Sequence, residues 1–167
     1  YNFQENQLIP SGMPRYDHIN PTPSERRILF APSWRKELVA ELPGLRFEAK
    51  PKAFASSVFW YEVKNLLGSK KLTELLEQND YHFDIKLHPI FEAYTSVFES
   101  FSSNRIHIVK SVRESDYRLF ITDYSSWTFD FVYLKRAIAY FLPDEDEFKS
   151  GINGYRKLDI PLEQGFG

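Results

Sequence analysis

Short apolar runs, each halted by a proline or a polar cluster, alternate along this chain with segments of helical spacing. Ile28-Leu29-Phe30-Ala31 stops at Pro32 and has the look of a buried strand. From Tyr81 the pattern has period two: Tyr81, Phe83, Ile85 and Leu87 face one way, and His82, Asp84, Lys86 and His88 the other, up to Pro89. Arg105-Ile106-His107-Ile108-Val109, Leu119-Phe120-Ile121-Thr122 and the stretch Ala137 to Phe141 read as three further strands. Helical spacing lies between them. Val58 to Leu67 ends at Gly68-Ser69, and Ser69 caps a second helix with Leu72, Leu75 and Leu76 on one face. A third helix is expected over 90–101, and Ser125 to Leu134 gives a fourth from Phe129, Val132 and Tyr133. Residues 36–57 resist assignment: Pro43, Gly44 and Pro51 argue for loops with a short helical turn. The opening, through Gly12-Met13-Pro14-Arg15, and Pro21-Thr22-Pro23 are loop-like. Strands that alternate with helices imply βαβ units, so the fold class is α/β with a parallel sheet and right-handed crossovers.

The 167 residues suffice for one domain with a real core. Aromatic residues reach 17%, too much burial potential for a disordered chain. The 21 basic and 23 acidic side chains nearly cancel, and a nucleic-acid partner would need a basic excess. With no cysteine, disulfides and thiolate zinc sites are excluded and a reducing compartment is permitted. No pair of histidines has helical ligand spacing with a carboxylate, so no metal is expected, and no segment reads as a membrane span or signal peptide. The missing initiator Met suggests a segment of something longer.

In open α/β sheets ligands bind beyond the carboxyl ends of the strands. Three polar groups fall there: Ser33-Trp34-Arg35, His88-Pro89 and Asp123-Tyr124-Ser125-Ser126. Small hydroxyl residues between a strand and a helix let a phosphate approach free backbone N–H groups, although plain helix capping explains the same local pattern. His88 is placed to donate to a phosphate or to move a proton, against the plainer reading of a surface-turn histidine. Arg35 suits bidentate phosphate contact, or else an exposed pair with a carboxylate. Arg15 is similar, with Asp17 as an obvious local partner. His82 and His107, in mid-strand, are read as structural, and His18 lies in a loop. Asp144 to Glu147 reads as a solvated acidic loop.

Four motifs then occur in order: Gly12-Met13-Pro14-Arg15-Tyr16-Asp17, the run from Ile28 to Arg35, Lys86-Leu87-His88-Pro89, and the run from Ile121 to Phe131. With them the chain resembles the CDP-glycerol:poly(glycerophosphate) glycerophosphotransferase family of teichoic-acid and capsule biosynthesis. The tail fits as well, with Gly154-Tyr155 and Gly165-Phe166-Gly167. The resemblance implies a GT-B enzyme with two Rossmann-like, doubly wound domains. Residues 1–167 look like its C-terminal, donor-binding domain, a fragment inactive without the N-terminal one. Ser33 stands where the family usually has Thr, and the hydroxyl is kept. The family's other important histidine belongs to the N-terminal domain, and the closing helices would lie beyond Gly167.

What the resemblance implies about roles follows residue by residue. His88 would be catalytic, donating to the donor pyrophosphate. Asp123, Ser125 and Ser126 would cradle it, and Arg15 and Arg35 would add charge. Asp130 would accept from ribose hydroxyls, and Val109, Lys110 and Ser111 would read the base. The partners would be CDP-glycerol or a related CDP-alditol and a polymer acceptor on a lipid carrier, handled peripherally at the cytoplasmic face of the membrane, with no cofactor. Two rival readings stay open: a GT-B glycosyltransferase using a UDP- or CMP-sugar, and a non-catalytic nucleotide- or phosphate-binding module, since fold alone does not decide chemistry.

Overall fold

The computed structural model describes residues 4–7, 9, 11–18, 24–44 and 46–150. The tail motifs at Gly154 and Gly165 therefore lie outside the described residues. Seven strands and six α-helices follow in chain order: β1 (Arg27–Phe30), β2 (Val39–Leu42), β3 (Arg46–Ala49), α1 (Pro51–Ser56), α2 (Val58–Leu67), α3 (Lys70–Gln78), β4 (His82–Ile85), α4 (Thr95–Glu99), β5 (Ile106–Ile108), β6 (Leu119–Thr122), α5 (Thr128–Tyr133), β7 (Ala137–Tyr140) and α6 (Glu145–Lys149). Five strands form one sheet in the order β5-β4-β1-β6-β7, every pairing parallel. The chain thus starts in the centre, moves out through β4 to β5, and returns to the other side of β1 with β6 and β7. That reversal is the doubly wound arrangement.

Period two explains the two cores. Phe30, Phe83 and Ile85 point to one face, where they meet Phe59, Val63 and Leu67 of α2, Leu76 of α3, and Phe91 and Phe98. Phe54 of α1 lies between Trp60 and Tyr94, with ring centroids 4.8 and 4.0 Å away. Leu29, Ala31 and Phe120 point to the other face, where Phe131 of α5 stacks on Phe120 at 4.1 Å. Each fully buried side chain of this kind contributes roughly 1.5–3 kcal/mol. Ser57 and Ser69 cap α2 and α3 by accepting from Trp60 N and Leu72 N.

Three expectations need correction. Residues 36–57 hold a 3-10 turn (Lys36–Leu38), the antiparallel β2–β3 hairpin and α1, rather than loops. Gly44, at φ +82°, makes the tight turn between the two strands. The helix expected over 90–101 is a 3-10 helix (Pro89–Tyr94) running into the short α4. The helix expected from Ser125 starts only at Thr128, because Ser125 Oγ accepts from Trp127 N and closes a turn first. The second face of β4 is also enclosed: Asp84 is fully buried and takes hydrogen bonds from Arg27 and, at 2.8 Å, from Tyr117, with His107 Nδ1 3.2 Å away. His107 stacks beside His82, so both histidines serve the sheet. No described helix is long and apolar enough to cross a membrane.

Candidate functional site

The ends of β1, β4 and β6 are carried one step further by hydrogen bonds that hold their loops side by side. Thr122 Oγ1 donates to Ala31 O at 2.7 Å, Ala31 N to Ile121 O at 3.0 Å, and Lys86 N to Phe30 O at 3.0 Å. Two hollows open at the carboxyl ends of the strands, the smaller above these ends, where the strand order reverses, and the larger between the ends of β4 and β5. The smaller, about 120 Å³, is lined by Pro32, Ser33, Lys86, His88, Ser125 and Trp127. The larger, about 430 Å³, is lined by Lys86, Glu92, Thr95, Glu99, Val109 and Lys110. Lys86 and Leu87 belong to both.

Arg35 does not line either hollow as a free cation. Its side chain is wholly buried, with Nε and Nη2 on Asp144 at 2.6 and 2.8 Å and Nη1 on Asp123 and Ser33 O, both at 2.8 Å. Burial opposes the guanidinium charge, but Asp144 and Asp123 outweigh it and hold its pKa above the ordinary arginine value. The expected phosphate contact is replaced by a clamp across three strand-end loops. Asp123 is likewise buried: its carboxylate accepts from Ser33 N at 2.9 Å and from Tyr124 N at 2.7 Å. Asp144, read from sequence as a solvated loop residue, is the third member. Tyr124 stacks on Phe148 of α6 behind the clamp, and burial and then Asp144 push its phenol pKa up.

His88 sits at the rim of the smaller hollow, exposed, with Trp34 as a ring neighbour at 6.4 Å. Its Nδ1 accepts from Ile90 N at 3.2 Å, capping the 3-10 helix. That bond requires a lone pair on Nδ1, so the neutral ring carries its proton on Nε2. Although the residue is exposed, partial desolvation of its ring by the surrounding protein and the nearby Lys86 charge depress its pKa below the usual histidine value. At neutral pH His88 is therefore a hydrogen-bond donor through Nε2 and not a base through Nδ1.

Ser125 lines the smaller hollow, and its hydroxyl oxygen accepts from Trp127 N at 3.2 Å. Ser126 is exposed beside it. Arg15 and Asp130 are brought to each other and line neither hollow: Nη2 and Oδ1 are 2.7 Å apart, while Tyr16 stacks on Tyr133 at 4.5 Å. Asp17, the expected partner, is replaced by an α5 carboxylate, and Asp130 pairs with Arg15 rather than lining either hollow. Val109 and Lys110 line the larger hollow; Ser111 is exposed outside it. Sequence reasoning missed Lys86, Glu92 and Glu99 as site residues. The spacing of Glu92, Thr95 and Glu99, three and then four residues apart, was the signal that places them on one helical face. Among the described residues, no group of three or more His, Asp or Glu side chains is placed to hold a metal ion.

Residues 1–157 match the family described as CDP-Glycerol:Poly(glycerophosphate) glycerophosphotransferase. The chain belongs to that family. The minor teichoic acid biosynthesis protein GgaB of Bacillus subtilis (strain 168) is 28% identical over 174 residues, covering 100% of this chain and 18% of that protein. The teichoic acid poly(glycerol phosphate) polymerase of the same organism is 27% identical over 172 residues, covering 92% and 21%. A solved structure of the wall teichoic acid polymerase TagF is similar at 23% identity and a TM-score of 0.48, covering 83% of this chain and 30% of that one. The chain spans about a fifth of the length of the two curated relatives it matches.

Within this glycerophosphotransferase-family chain, the clamp and the histidine lead to different measurements. Arg35→Ala should lower unfolding stability by about 3–5 kcal/mol in a urea titration, the loss seen when one member of a buried ion pair is removed. Unchanged stability together with lost nucleotide affinity would instead make Arg35 a ligand contact. For His88, nitrogen NMR at pH 7 should show a protonated Nε2 and a bare Nδ1, with titration below the usual value of about 6.5. A depressed folded pKa means that the unfolded chain takes the proton more readily. The stability contributed by neutral His88 is thus complete above about pH 6.5 and is lost as pH falls through the folded value. A ring that titrates above 6.5 would contradict this environment.

Proposed function

We propose that this chain is the donor-binding, Rossmann-like domain of a GT-B glycerophosphotransferase that takes CDP-glycerol, or a close CDP-alditol, and passes glycerol phosphate to a growing polymer. One observation carries the reading beyond family membership: two adjoining hollows share Lys86 and Leu87 at the carboxyl ends of the strands, the smaller at the topological switch point and the larger between β4 and β5. The smaller is mainly apolar, lined by Ala31, Pro32, Leu87 and Trp127, with Ser33, His88 and Ser125 as proton donors and Lys86 beside them, groups that would hold a diphosphate at its mouth. The larger is the more polar of the two and offers carboxylate and hydroxyl acceptors. Glu92, Thr95 and Glu99 suit ribose hydroxyls in place of Asp130, and the backbone at Val109 and Lys110 suits the base edge.

The reaction would be attack by an acceptor hydroxyl on the β-phosphorus of the donor. The new acceptor O–P bond forms, the bond from that phosphorus to the bridging oxygen breaks, and CMP leaves with the electron pair while the hydroxyl proton departs. The task of this domain is to orient the diphosphate and to stabilise charge on the departing phosphate. His88 Nε2–H and the Ser125 hydroxyl are the donors placed for it. The acceptor would be a polymer on a lipid carrier, presented at the cytoplasmic face of the membrane with only peripheral contact by the protein.

Calorimetric titration with CDP-glycerol, CDP-ribitol and UDP-sugars tests this directly. CDP-alditols should bind best; equal or tighter binding of UDP-sugars would favour a glycosyltransferase on the same fold. His88→Ala should weaken CDP-glycerol binding about tenfold to hundredfold, as expected for losing a hydrogen bond to a charged group. His107→Ala, whose ring belongs to the Asp84 cluster, should leave affinity unchanged.

A further inference from the structure

Both arginines expected to meet the donor are engaged elsewhere, Arg35 with Asp123 and Asp144 and Arg15 with Asp130. The Arg35 clamp, moreover, sets two carboxylates against one guanidinium behind the smaller hollow, a net negative charge. An anionic ligand there needs a cation from another source. Lys86 lines both hollows, follows directly on β4, and is half-buried. Its Nζ donates to Leu87 O at 3.2 Å, and it forms no ion pair among the described residues. Glu92 and Glu99, the carboxylates of the larger hollow, are exposed and solvated.

We propose that Lys86 contacts the donor diphosphate where it passes between the two hollows, and that its charge holds the phosphate of the departing CMP. This rests on the donor-binding reading above. When the β-phosphorus is attacked, the bridging oxygen keeps the electron pair of the broken bond and becomes a terminal oxygen of CMP. A cation beside that oxygen gains attraction as the charge grows, so its removal should slow turnover as well as weaken binding. The same charge lies close enough to His88 to favour its neutral, donating form. The two residues, two positions apart in Lys86-Leu87-His88, thus divide the work: one supplies full charge and the other a directed N–H.

The experiment compares CMP with cytidine, which differ by the phosphate alone, on the 167-residue protein and on Lys86→Met and Lys86→Arg, by calorimetry at two salt concentrations. The wild type should prefer CMP to cytidine. Lys86→Met should weaken CMP and CDP-glycerol about tenfold or more, leave cytidine unchanged and flatten the salt dependence. Lys86→Arg should restore most of the CMP preference. A Lys86→Met protein that keeps the full CMP-over-cytidine preference, or that loses both ligands equally, overturns the assignment of Lys86 alone. A wild-type protein that binds none of the cytidine compounds overturns the donor-binding reading and this inference with it. Because Lys86 forms no ion pair among the described residues, the Met variant should keep the wild-type unfolding midpoint, and a matched midpoint separates lost contact from lost fold.

Discussion

The guanidinium of Arg35, enclosed by Asp123 and Asp144, is the interaction on which the arrangement of the strand ends depends. It joins residues 88 and 109 positions apart in sequence and so closes the loops after β1, β6 and β7 onto one another. Two charges of one sign and one of the other are expensive to take out of water, and such a group persists only when its hydrogen-bonding capacity is nearly saturated. Here the fork makes bonds from all three nitrogens, and Asp123 uses its remaining lone pairs on Ser33 N and Tyr124 N. The position of Ser33 at the edge of the hollow follows from that saturation.

Once the clamp takes Arg35, the charge pattern of the site changes. Arg15 is bound to α5 through Asp130, and the stack of Tyr16 on Tyr133 fastens the first motif to the same helix. The site is then built from a single strand-end tetrapeptide, Lys86-Leu87-His88-Pro89, facing Ser33 and Ser125. Proline stops β4 and starts the 3-10 helix, whose first free N–H, that of Ile90, is satisfied by His88 Nδ1. Local helix capping therefore fixes which histidine nitrogen carries the proton in the neutral ring, and the proposed donor role of His88 builds on that turn geometry.

Much of the architecture was legible because burial on both faces of a parallel sheet writes short apolar runs, on which β1, β6 and β7 fall, while β4 and β5 alternate apolar with polar residues. The hairpin was not: β2 ends in exposed Glu41 and Leu42, and the alternation of Phe47 and Ala49 with exposed Arg46 and Glu48 is only four residues long beside Pro43 and Gly44. Of the candidate site, residues at strand ends could be located from their neighbours alone, which is why His88, Ser125, Val109 and Lys110 line the hollows. Ion-pair partners could not. Nothing near Arg35 in sequence points to Asp144, and Asp17 next to Arg15 is a better local partner than the distant Asp130 that holds it. Lys86 escaped notice for the opposite reason: the role proposed for it rests on its having no ion-pair partner among the described residues.

The central proposal is that a cytidine diphosphate donor lies across the ends of β1, β4, β5 and β6, and mapping CDP-glycerol onto the backbone amide spectrum of this chain tests it most directly. The largest shifts should fall at Ser33, Leu87, His88, Ile90 and Ser125 to Trp127, with a second group at Val109 and Lys110. Shifts gathered instead around Leu75, Tyr81 and Arg118, which line an apolar groove at the opposite end of the sheet, would contradict the account.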